Sequence, residues 1–449
     1  MNLNGKKVLL VGLAKTGISM IKKLATMGCN IVVNDIKDES KLKDIINQLK
    51  GYNVEYILGR HIDYIEDIDL VVVSPGVPLD IPFIVELKKR DIEVIGEVEF
   101  AYRLAKGKFI GITGTNGKTT TTTLVGEIFK SFSSNTFVVG NIGNPVIDIV
   151  DLSTKDSFIV TELSSFQLES IRDFRPKVSA ILNITEDHLN RHKTMQNYID
   201  AKARIFENQT SEDFTVLNYD CILSRNLAQR CKSKVIFFSR KEVLKEGVFV
   251  LNNNIVIRFD GKDTLVIDKD NLSLPGDHNL ENALAAVAIA FILNVDLDTI
   301  RKVLKSFKGV EHRLEFVREL NGIKFINDSK GTNPDASIKA IQSYNSPIVL
   351  IAGGMDKNSD FTDFIKSFNG KVKGLVLLGQ TAEKIEKAAL EQGFKNSYKV
   401  KNMKDAVNKC FEIAQSGDIV LLSPACASWD MYESYEARGN DFKECVYSL

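Results

Sequence analysis

The stretch Gly111-Ile-Thr-Gly-Thr-Asn-Gly-Lys-Thr119 follows an apolar run at Phe109-Ile110 and leads into a helical pattern from Thr120 to Phe129. Strand, glycine-rich turn, Lys-Thr and helix in that order describe a phosphate-binding loop. Gly114 and Gly117 let backbone N–H groups close around phosphate oxygens, with Thr115, Asn116 and Thr120 alongside, and the helix N-terminus adds partial positive charge. Lys118 is placed for the β- and γ-phosphates of a nucleotide, and Thr119 offers a hydroxyl to Mg²⁺. The strict pattern G-x-x-x-x-G-K-[ST] puts its first glycine at position 112. That residue is Ile112, so the loop is a variant that runs from Gly111 to Thr119.

Two further apolar runs end in polar residues. Phe158 to Glu162 closes on a carboxylate, and Val178 to Thr185 is followed by Asp187-His188. In open α/β sheets, ligands gather beyond the carboxyl ends of strands. Taken singly, Glu162 reads equally as an exposed strand-end acid and His188 as a polar residue at a helix start. Beside the loop, Glu162 reads as a second magnesium ligand and His188 as part of the same crevice. Lys202, in the helical segment Tyr198 to Phe206, reads from its spacing as a solvated lysine.

The same alternation of strand-like and helix-like segments runs outward in both directions. Val8 to Val11 leads into Gly12-Leu-Ala-Lys-Thr-Gly17, Asn30 to Asp35 ends in a carboxylate, and Asp69 to Ser74 ends in Pro75-Gly76. Read alone, the Gly12 loop with Asp35 is a weak dinucleotide fingerprint, since Ala14 stands where its second glycine belongs. Residues 214 to 274 are rich in strands and turns, and Gly276 to Leu293 is an Ala-rich helix. Ile323 to Asn327, Pro347 to Ala352, Lys373 to Leu378 and Asp418 to Ser423 are the strands of a last α/β pattern. At 449 residues the chain is expected to hold about three domains, placed at 1–95, 96–308 and 309–449. The fold class is α/β: a Rossmann-like N-terminal domain, a central phosphate-loop ATPase-type domain and a Rossmann-like C-terminal domain. Lys plus Arg and Asp plus Glu both count 58, which argues against a general nucleic-acid or anionic-membrane partner. The six scattered cysteines fit a reducing cytoplasm rather than a disulfide framework. No signal-peptide pattern and no membrane-length apolar run is present.

Taken together these residues resemble the Mur ligase family, the ATP-dependent amide ligases of peptidoglycan precursor synthesis. The resemblance is carried by Thr113 to Thr119, Gly140-Asn-Ile-Gly143, Thr161-Glu-Leu-Ser-Ser-Phe-Gln-Leu168, Glu186-Asp-His-Leu189, Ala201-Lys-Ala-Arg-Ile205 and Gly276-Asp-His-Asn-Leu-Glu-Asn-Ala283. Glu311-His-Arg-Leu-Glu315, Asn327-Asp-Ser-Lys-Gly-Thr332, Gly353-Gly-Met-Asp-Lys357 and Leu422-Ser-Pro-Ala-Cys-Ala-Ser428 resemble the D-glutamate-adding branch. Sister branches fit less well: the L-alanine-adding ligases resemble a loop with His where this chain has Asn116, and folate polyglutamate ligases carry Gly where it has Thr119. The Asp-Asn-Pro stretch of the diaminopimelate-adding ligases is missing.

The resemblance implies that the substrates are UDP-N-acetylmuramoyl-L-alanine and D-glutamate, joined through an acyl phosphate. It implies ATP and two Mg²⁺ sites, one between Thr119 and Glu162, the other with His188 and a carbamate that CO₂ forms on Lys202. Lys118 and Lys330 would neutralise the phosphoryl group, Asn279 would read the adenine, and Arg313 and Asp328 would hold ATP from the third domain. The UDP part would lie near Thr16, Asp35, Ser74 and Gly76, with Asn141 reaching the sugar nucleotide. D-glutamate would meet Thr332, Lys357, Ser428 and Tyr435, where related enzymes often have Phe at the last position. Ser428 reads equally as the N-cap of a helix starting near Trp429. A monomer is expected. The competing functions are a sister ligase for another amino acid, an NAD-dependent oxidoreductase built on the Gly12 loop, and a nucleotide-switch module.

Overall fold

Three β-sheets organise the computed structural model, which describes residues 1–449 apart from 63–65, 275, 357 and 358 and the side chain of Asn190. The first sheet has the order Val54–Leu58, Asn30–Asp35, Lys7–Val11, Leu70–Val73, Glu93–Gly96, every pair parallel. Val8, Leu9, Leu10 and Val11 are buried, as a strand covered by helices on both faces requires. The strand order reverses between Lys7–Val11 and Leu70–Val73, so the Gly12 and Ser74 turns sit side by side at the switch point.

The second sheet has nine strands. Thr136–Gly140, Phe158–Glu162, Lys108–Thr113, Val178–Ile181, Phe214–Asn218, Lys234–Ser239 and Gly247–Leu251 run parallel, and Asn254–Phe259 and Lys262–Asp268 close it as antiparallel hairpins. The helix Lys118–Phe132 packs tightly against this sheet through Gly126, where a Cβ would stand 2.4 Å from Val138 Cγ2. Under the Lys108–Thr113 strand, Tyr102, Phe109 and Phe174 meet edge to face with centroids 5.3–5.6 Å apart. The third sheet has the order Glu315–Leu320, Ile323–Asn327, Ile419–Leu422, Ile348–Ala352, Val372–Leu377, Ser397–Lys399, parallel except for its first pair.

Contacts divide the chain into two compact units: Met1–Ser273 with His278–Phe307, and Lys308–Leu449 with Leu274–Asp277. The first unit thus holds both the first and the second sheet. A buried carboxylate joins them. Glu99, fully buried in the helix Glu97–Leu104, accepts the backbone N–H groups of Arg172 (2.8 Å), Asp173 (3.0 Å) and Phe174 (2.9 Å), and Arg103 Nε at 2.7 Å. Arg103 also forks onto Glu93 at 2.9 Å through both terminal nitrogens, and Arg172 reaches Glu93 at 2.8 Å. The Glu93 carboxyl is held below its ordinary range, chiefly by Arg103.

One element differs from the sequence reading. The strand expected over Val178 to Thr185 stops at Ile181, because Asn183 and Thr185 bond to the phosphate loop instead of continuing the ladder. Among the described residues, no helix is long and apolar enough to cross a membrane.

Replacing Glu99 by Ala strands the buried Phe174 N–H, the partly buried Arg172 and Asp173 N–H groups and the Arg103 guanidinium at once. The expected loss of stability is about 3–5 kcal/mol, measured by urea unfolding. Glu99→Gln, which keeps an acceptor oxygen, loses less.

Candidate active site

The Lys108–Thr113 strand lies between two parallel neighbours. Ile112 pairs with Glu162 on one side and Thr113 with Ile181 on the other. Gly111 is therefore a buried strand residue and not the first residue of the loop: a Cβ there would sit 3.2 Å from Ile205 Cδ1 and 3.3 Å from Leu163 Cδ1. The loop itself is Gly114-Thr-Asn-Gly117. Gly117 has φ +83°, and a Cβ on it would stand 2.3 Å from Asn282 Oδ1. The helix begins at Lys118, two residues earlier than the sequence pattern suggests. Its first turn holds Lys118, buried Thr119 and buried Thr120 with no side-chain cap, which leaves N–H groups to face an anion. Asn183 clamps the loop, accepting Asn116 N–H at 2.8 Å and donating to Asn116 O at 3.0 Å. Lys118 Nζ donates to Gly114 O and Thr115 O, both at 2.9 Å.

Glu162 ends the neighbouring strand and is buried. Its Oε1 accepts Asn141 Nδ2 at 2.8 Å, while Oε2 has no hydrogen-bond partner among the described residues. An orphaned, buried carboxylate oxygen beside a phosphate loop is expensive unless a cation meets it. The donor set of Thr119 and Glu162 thus fits Mg²⁺, a hard ion that takes a carboxylate and a hydroxyl together with phosphate oxygens. Asn141 belongs to this metal-side contact through its side chain and is itself exposed. Asn279 connects to the loop through Asn282, whose Nδ2 lies 3.5 Å from Asn279 Oδ1 and whose Oδ1 accepts Thr121 Oγ1 at 3.1 Å.

Tyr198 gathers the remaining groups. Its hydroxyl is 3.2 Å from Thr115 Oγ1, its ring is 6.5 Å from the His188 ring, and Lys202 Nζ lies 4.6 Å from its centroid. His188 does not stand at a strand end. It has φ +54° and caps the short helix Leu189–His192, with its N–H on Asp187 Oδ1 at 2.8 Å. Lys202 is not a solvated lysine: it is 1% exposed and donates to Gly114 O at 2.8 Å. Burial, reinforced by the Lys118 charge, pushes its pKa well below the ordinary lysine value.

In the first sheet, Gly12, Asp35, Gly76 and Val77 line one cavity with Asn34 and His61. Asp35 Oδ2 accepts Leu13 N–H at 2.7 Å, and Ser74 Oγ donates to Gly12 O at 2.9 Å, so both residues fix the loop that carries half-buried Thr16.

In the second unit Arg313 lies near enough to Asp328 for its charge to act on the carboxyl, and Lys330 meets Tyr435. Asp328 is buried; its Oδ2 accepts Ser423 Oγ at 2.7 Å and its Oδ1 accepts Leu314 N–H at 3.3 Å. Lys330 Nζ lies 5.4 Å from the Tyr435 ring centroid, and Thr332 is half-buried two residues on. Ser428 is buried but caps no helix. Its carbonyl accepts Met431 and Tyr432 N–H groups in a turn, and the following helix, Tyr435–Tyr447, is capped by Ser434. Lys357 lies outside the described residues.

Several residues that shape these sites carry no motif of their own. Arg438 is buried and spans Ser329 O (2.8 Å), Cys426 O (3.1 Å) and Ala427 O (3.2 Å), which ties the Asn327–Thr332 and Leu422–Ser428 segments together; burial lowers its pKa to about 10. Asn183, Tyr198 and Asn282 act similarly around the phosphate loop. Only their places inside or next to quoted motifs could have drawn attention to them.

Burial raises the Asp328 carboxyl from 3.8 to about 6, against the opposing Ser423 hydrogen bond and Arg313 charge. A raised carboxyl pKa means that the folded state holds the proton more tightly than the unfolded chain. Stability contributed by Asp328 is therefore greatest below about pH 4 and declines as pH rises to about 6. Asp328→Asn, which stays neutral, is expected to lack that slope in urea midpoints measured from pH 4 to 7.

Comparison with known proteins places these sites in context. The description "Mur ligase MurD-like, N-terminal domain" matches residues 6–96, "Mur ligase middle domain" matches 112–290, and "Mur ligase, glutamate ligase domain" matches 312–426. The chain is 61% identical to the UDP-N-acetylmuramoylalanine–D-glutamate ligase of Clostridioides difficile (strain 630) and 56% identical to that of Alkaliphilus oremlandii (strain OhILAs), each aligned over 100% of both chains. Among solved structures, the UDP-N-acetylmuramate–alanine ligase of Thermotoga maritima has a TM-score of 0.61 at 21% identity, covering 98% of this chain and 99% of its own. The D-alanyl-D-alanyl-adding ligase of Acinetobacter baumannii also scores 0.61, at 19% identity over 98% and 93%. At those identities the two structures establish a shared three-domain α/β fold. The full-length matches establish more: the chain belongs to the Mur ligase family.

Proposed function

We propose that this protein is an ATP- and magnesium-dependent ligase that adds D-glutamate to UDP-N-acetylmuramoyl-L-alanine in peptidoglycan precursor synthesis. The reading rests on one arrangement: a phosphate loop flanked by the orphaned Glu162 oxygen and the dry Lys202 amine. The relatives named for this reaction over their full length support the choice of substrates. The domain boundaries proposed are 95 and 308, with the UDP part in the first domain and D-glutamate in the last. A monomer in the cytoplasm completes the reading.

Gly114 to Thr120 would cradle the triphosphate, and Asn279 would sit against the adenine. A divalent ion held by Thr119 and Glu162 would supply charge neutralisation between phosphate and substrate carboxylate. Lys118 would exchange its bonds to Gly114 O and Thr115 O for phosphate oxygens. Those carbonyls keep its ammonium near the loop beforehand, so little reorganisation is needed when charge develops. The substrate carboxylate would take the γ-phosphoryl group, and the D-glutamate amine would then displace phosphate from the acyl phosphate. In the last domain, Lys330, Arg313 and Asp328 would serve nucleotide and phosphoryl group, while Thr332, Lys357, Ser428 and Tyr435 would meet D-glutamate. In the first, Thr16, Asp35, Ser74 and Gly76 would hold the UDP part, with Asn141 toward the sugar.

Lys202 would be a carbamate in the active protein. Its neutral amine attacks the carbon of CO₂, forms the N–C bond and releases one proton, leaving an anion with two oxygens. That anion with His188 would hold a second magnesium ion. The depressed pKa of Lys202 favours the neutral amine this step requires.

ADP release against a panel of amino acids, with UDP-N-acetylmuramoyl-L-alanine present, is expected only with D-glutamate. A site whose donors match two carboxylates discriminates strongly against analogues that leave them unpaired. Faster release with L-alanine or diaminopimelate overturns the acceptor, and NADH-linked absorbance change without ADP overturns the class.

Lys202→Ala is expected to bind ATP through the intact loop yet lose at least about 100-fold in turnover, the range for removing one positioned charge. Short carboxylic acids in the buffer are expected to restore part of it. Labelled bicarbonate should give a carbamate ¹³C signal in the wild type that is missing from the variant.

A further inference from the structure

The Arg191 side chain joins the His188 segment to the wall of the first-domain cavity. It is 16% exposed, and its guanidinium lies 5.1 Å from the Phe166 ring centroid. One terminal nitrogen donates to Glu169 Oε2 at 2.6 Å and to Val77 O at 3.1 Å, and the other stands 3.5 Å from Gly76 O. Gly76 and Val77 line the cavity at the switch point of the first sheet. Glu169 in turn lies 3.3 Å from His192 Nδ1, and His192 Nε2 is 2.9 Å from Ser165 Oγ. His192 is buried and ends the same four-residue helix that His188 caps. The helix carrying His188 is thus bolted on one side to the Ser165 turn and on the other, through Arg191, to the cavity wall.

We propose that Arg191 is a positioning residue that sets the Gly76–Val77 wall of the UDP cavity relative to the His188 segment, so that binding of the uridine-diphosphate end aligns the reacting end. The inference rests on the ligase reading of both places. A guanidinium suits the task. Its planar fork serves a carboxylate and backbone carbonyls at once, and stacking on Phe166 fixes its plane. A lysine ammonium carries the charge but cannot span Glu169 and Val77 O with the same geometry. Glu169 holds the fork in place, and the carbonyls it reaches belong to a turn whose other end is fixed by the Ser74 hydroxyl on Gly12 O.

The test compares wild-type protein, Arg191→Gln and Arg191→Lys by calorimetry with UDP-N-acetylmuramoyl-L-alanine and, separately, with a non-hydrolysable ATP analogue, together with steady-state ADP formation and thermal unfolding. Losing a charge-assisted bond of this kind is worth about tenfold in affinity. Arg191→Gln is expected to weaken the UDP-sugar by about that factor and to raise its KM in parallel. It is expected to lower kcat as well, with ATP-analogue affinity unchanged. Arg191→Lys is expected to recover part of the loss. Equal weakening of both ligands, or a lowered thermal midpoint with an unchanged ratio of the two affinities, overturns the proposal and makes Arg191 a structural residue only. UDP-sugar binding equal to wild type in Arg191→Gln overturns it too. Wild-type protein that binds no UDP-sugar overturns the ligase reading instead, a result visible before any variant is compared.

Discussion

Ile112 faces Glu162 across one parallel ladder, and Thr113 faces Ile181 across the other; Leu163 N–H closes on Ile112 O at 2.9 Å and Leu182 N–H on Thr113 O at 3.0 Å. This register determines what stands around the phosphate loop. A slip of one residue would turn Glu162 to the opposite face of the sheet and move Asn183 away from Asn116. The register is held by packing more than by hydrogen bonds, since parallel ladders differ little in hydrogen bonding from one offset to the next. Gly111 leaves room for Ile205 and Leu163, which would crowd any Cβ placed there, and Phe109 fits edge to face between Tyr102 and Phe174. The core beneath the strand therefore sets the chemistry at its end.

The loop that results is electrostatically incomplete by itself. Lys118 and Lys202 both donate to the Gly114 carbonyl, at 2.9 and 2.8 Å, and one of them is almost wholly buried. Nearby, a carboxylate oxygen of Glu162 is buried without a partner among the described residues. Two lysine amines on one carbonyl oxygen and one carboxylate oxygen without a partner among the described residues are poor arrangements for stability. They are good arrangements for binding phosphate and a divalent cation, because the ligand then completes contacts that the fold leaves open. The same logic explains Lys202. Water would favour its ammonium, while a dry site beside a second lysine favours the neutral amine.

Much of this was legible in the chain itself. Glycine spacing between an apolar run and a helical pattern revealed the loop, and polar residues at the ends of apolar runs revealed Glu162. What stayed hidden depends on tertiary contacts. Gly111 looks like a loop glycine until its neighbours Ile205 and Leu163, far along the chain, show it to be a packing glycine. Ser428 has the sequence of an N-cap, yet the chain turns at Trp429 and starts its helix at Tyr435. Periodicity read Lys202 as solvated because the helix Met195–Ala203 is buried on both of its flanks at that end, with Ala201, Lys202 and Ala203 all inside. No local rule separates such a lysine from an exposed one; only the resemblance to a family singled it out.

Among the links between the sheets of the first unit, two differ in kind. At one, Glu99 gathers three backbone N–H groups and Arg103 in a buried cluster, with Glu93 and Arg172 completing it. At the other, Arg191 reaches Val77 O from beside His188. The cluster around Glu99 ties the first sheet to the loop-bearing sheet, so the distance from the first-sheet cavity to the phosphate loop is set by the fold. Under the ligase reading that distance acts as a ruler. A substrate anchored at its uridine end can place its carboxylate beside Glu162 and Lys202 only if its length matches, and near-attack geometry follows from anchoring at both ends. Binding energy far from the reacting carboxylate then serves the reaction itself, which is the use that a rigid joint between two sheets permits and a flexible linker would forfeit.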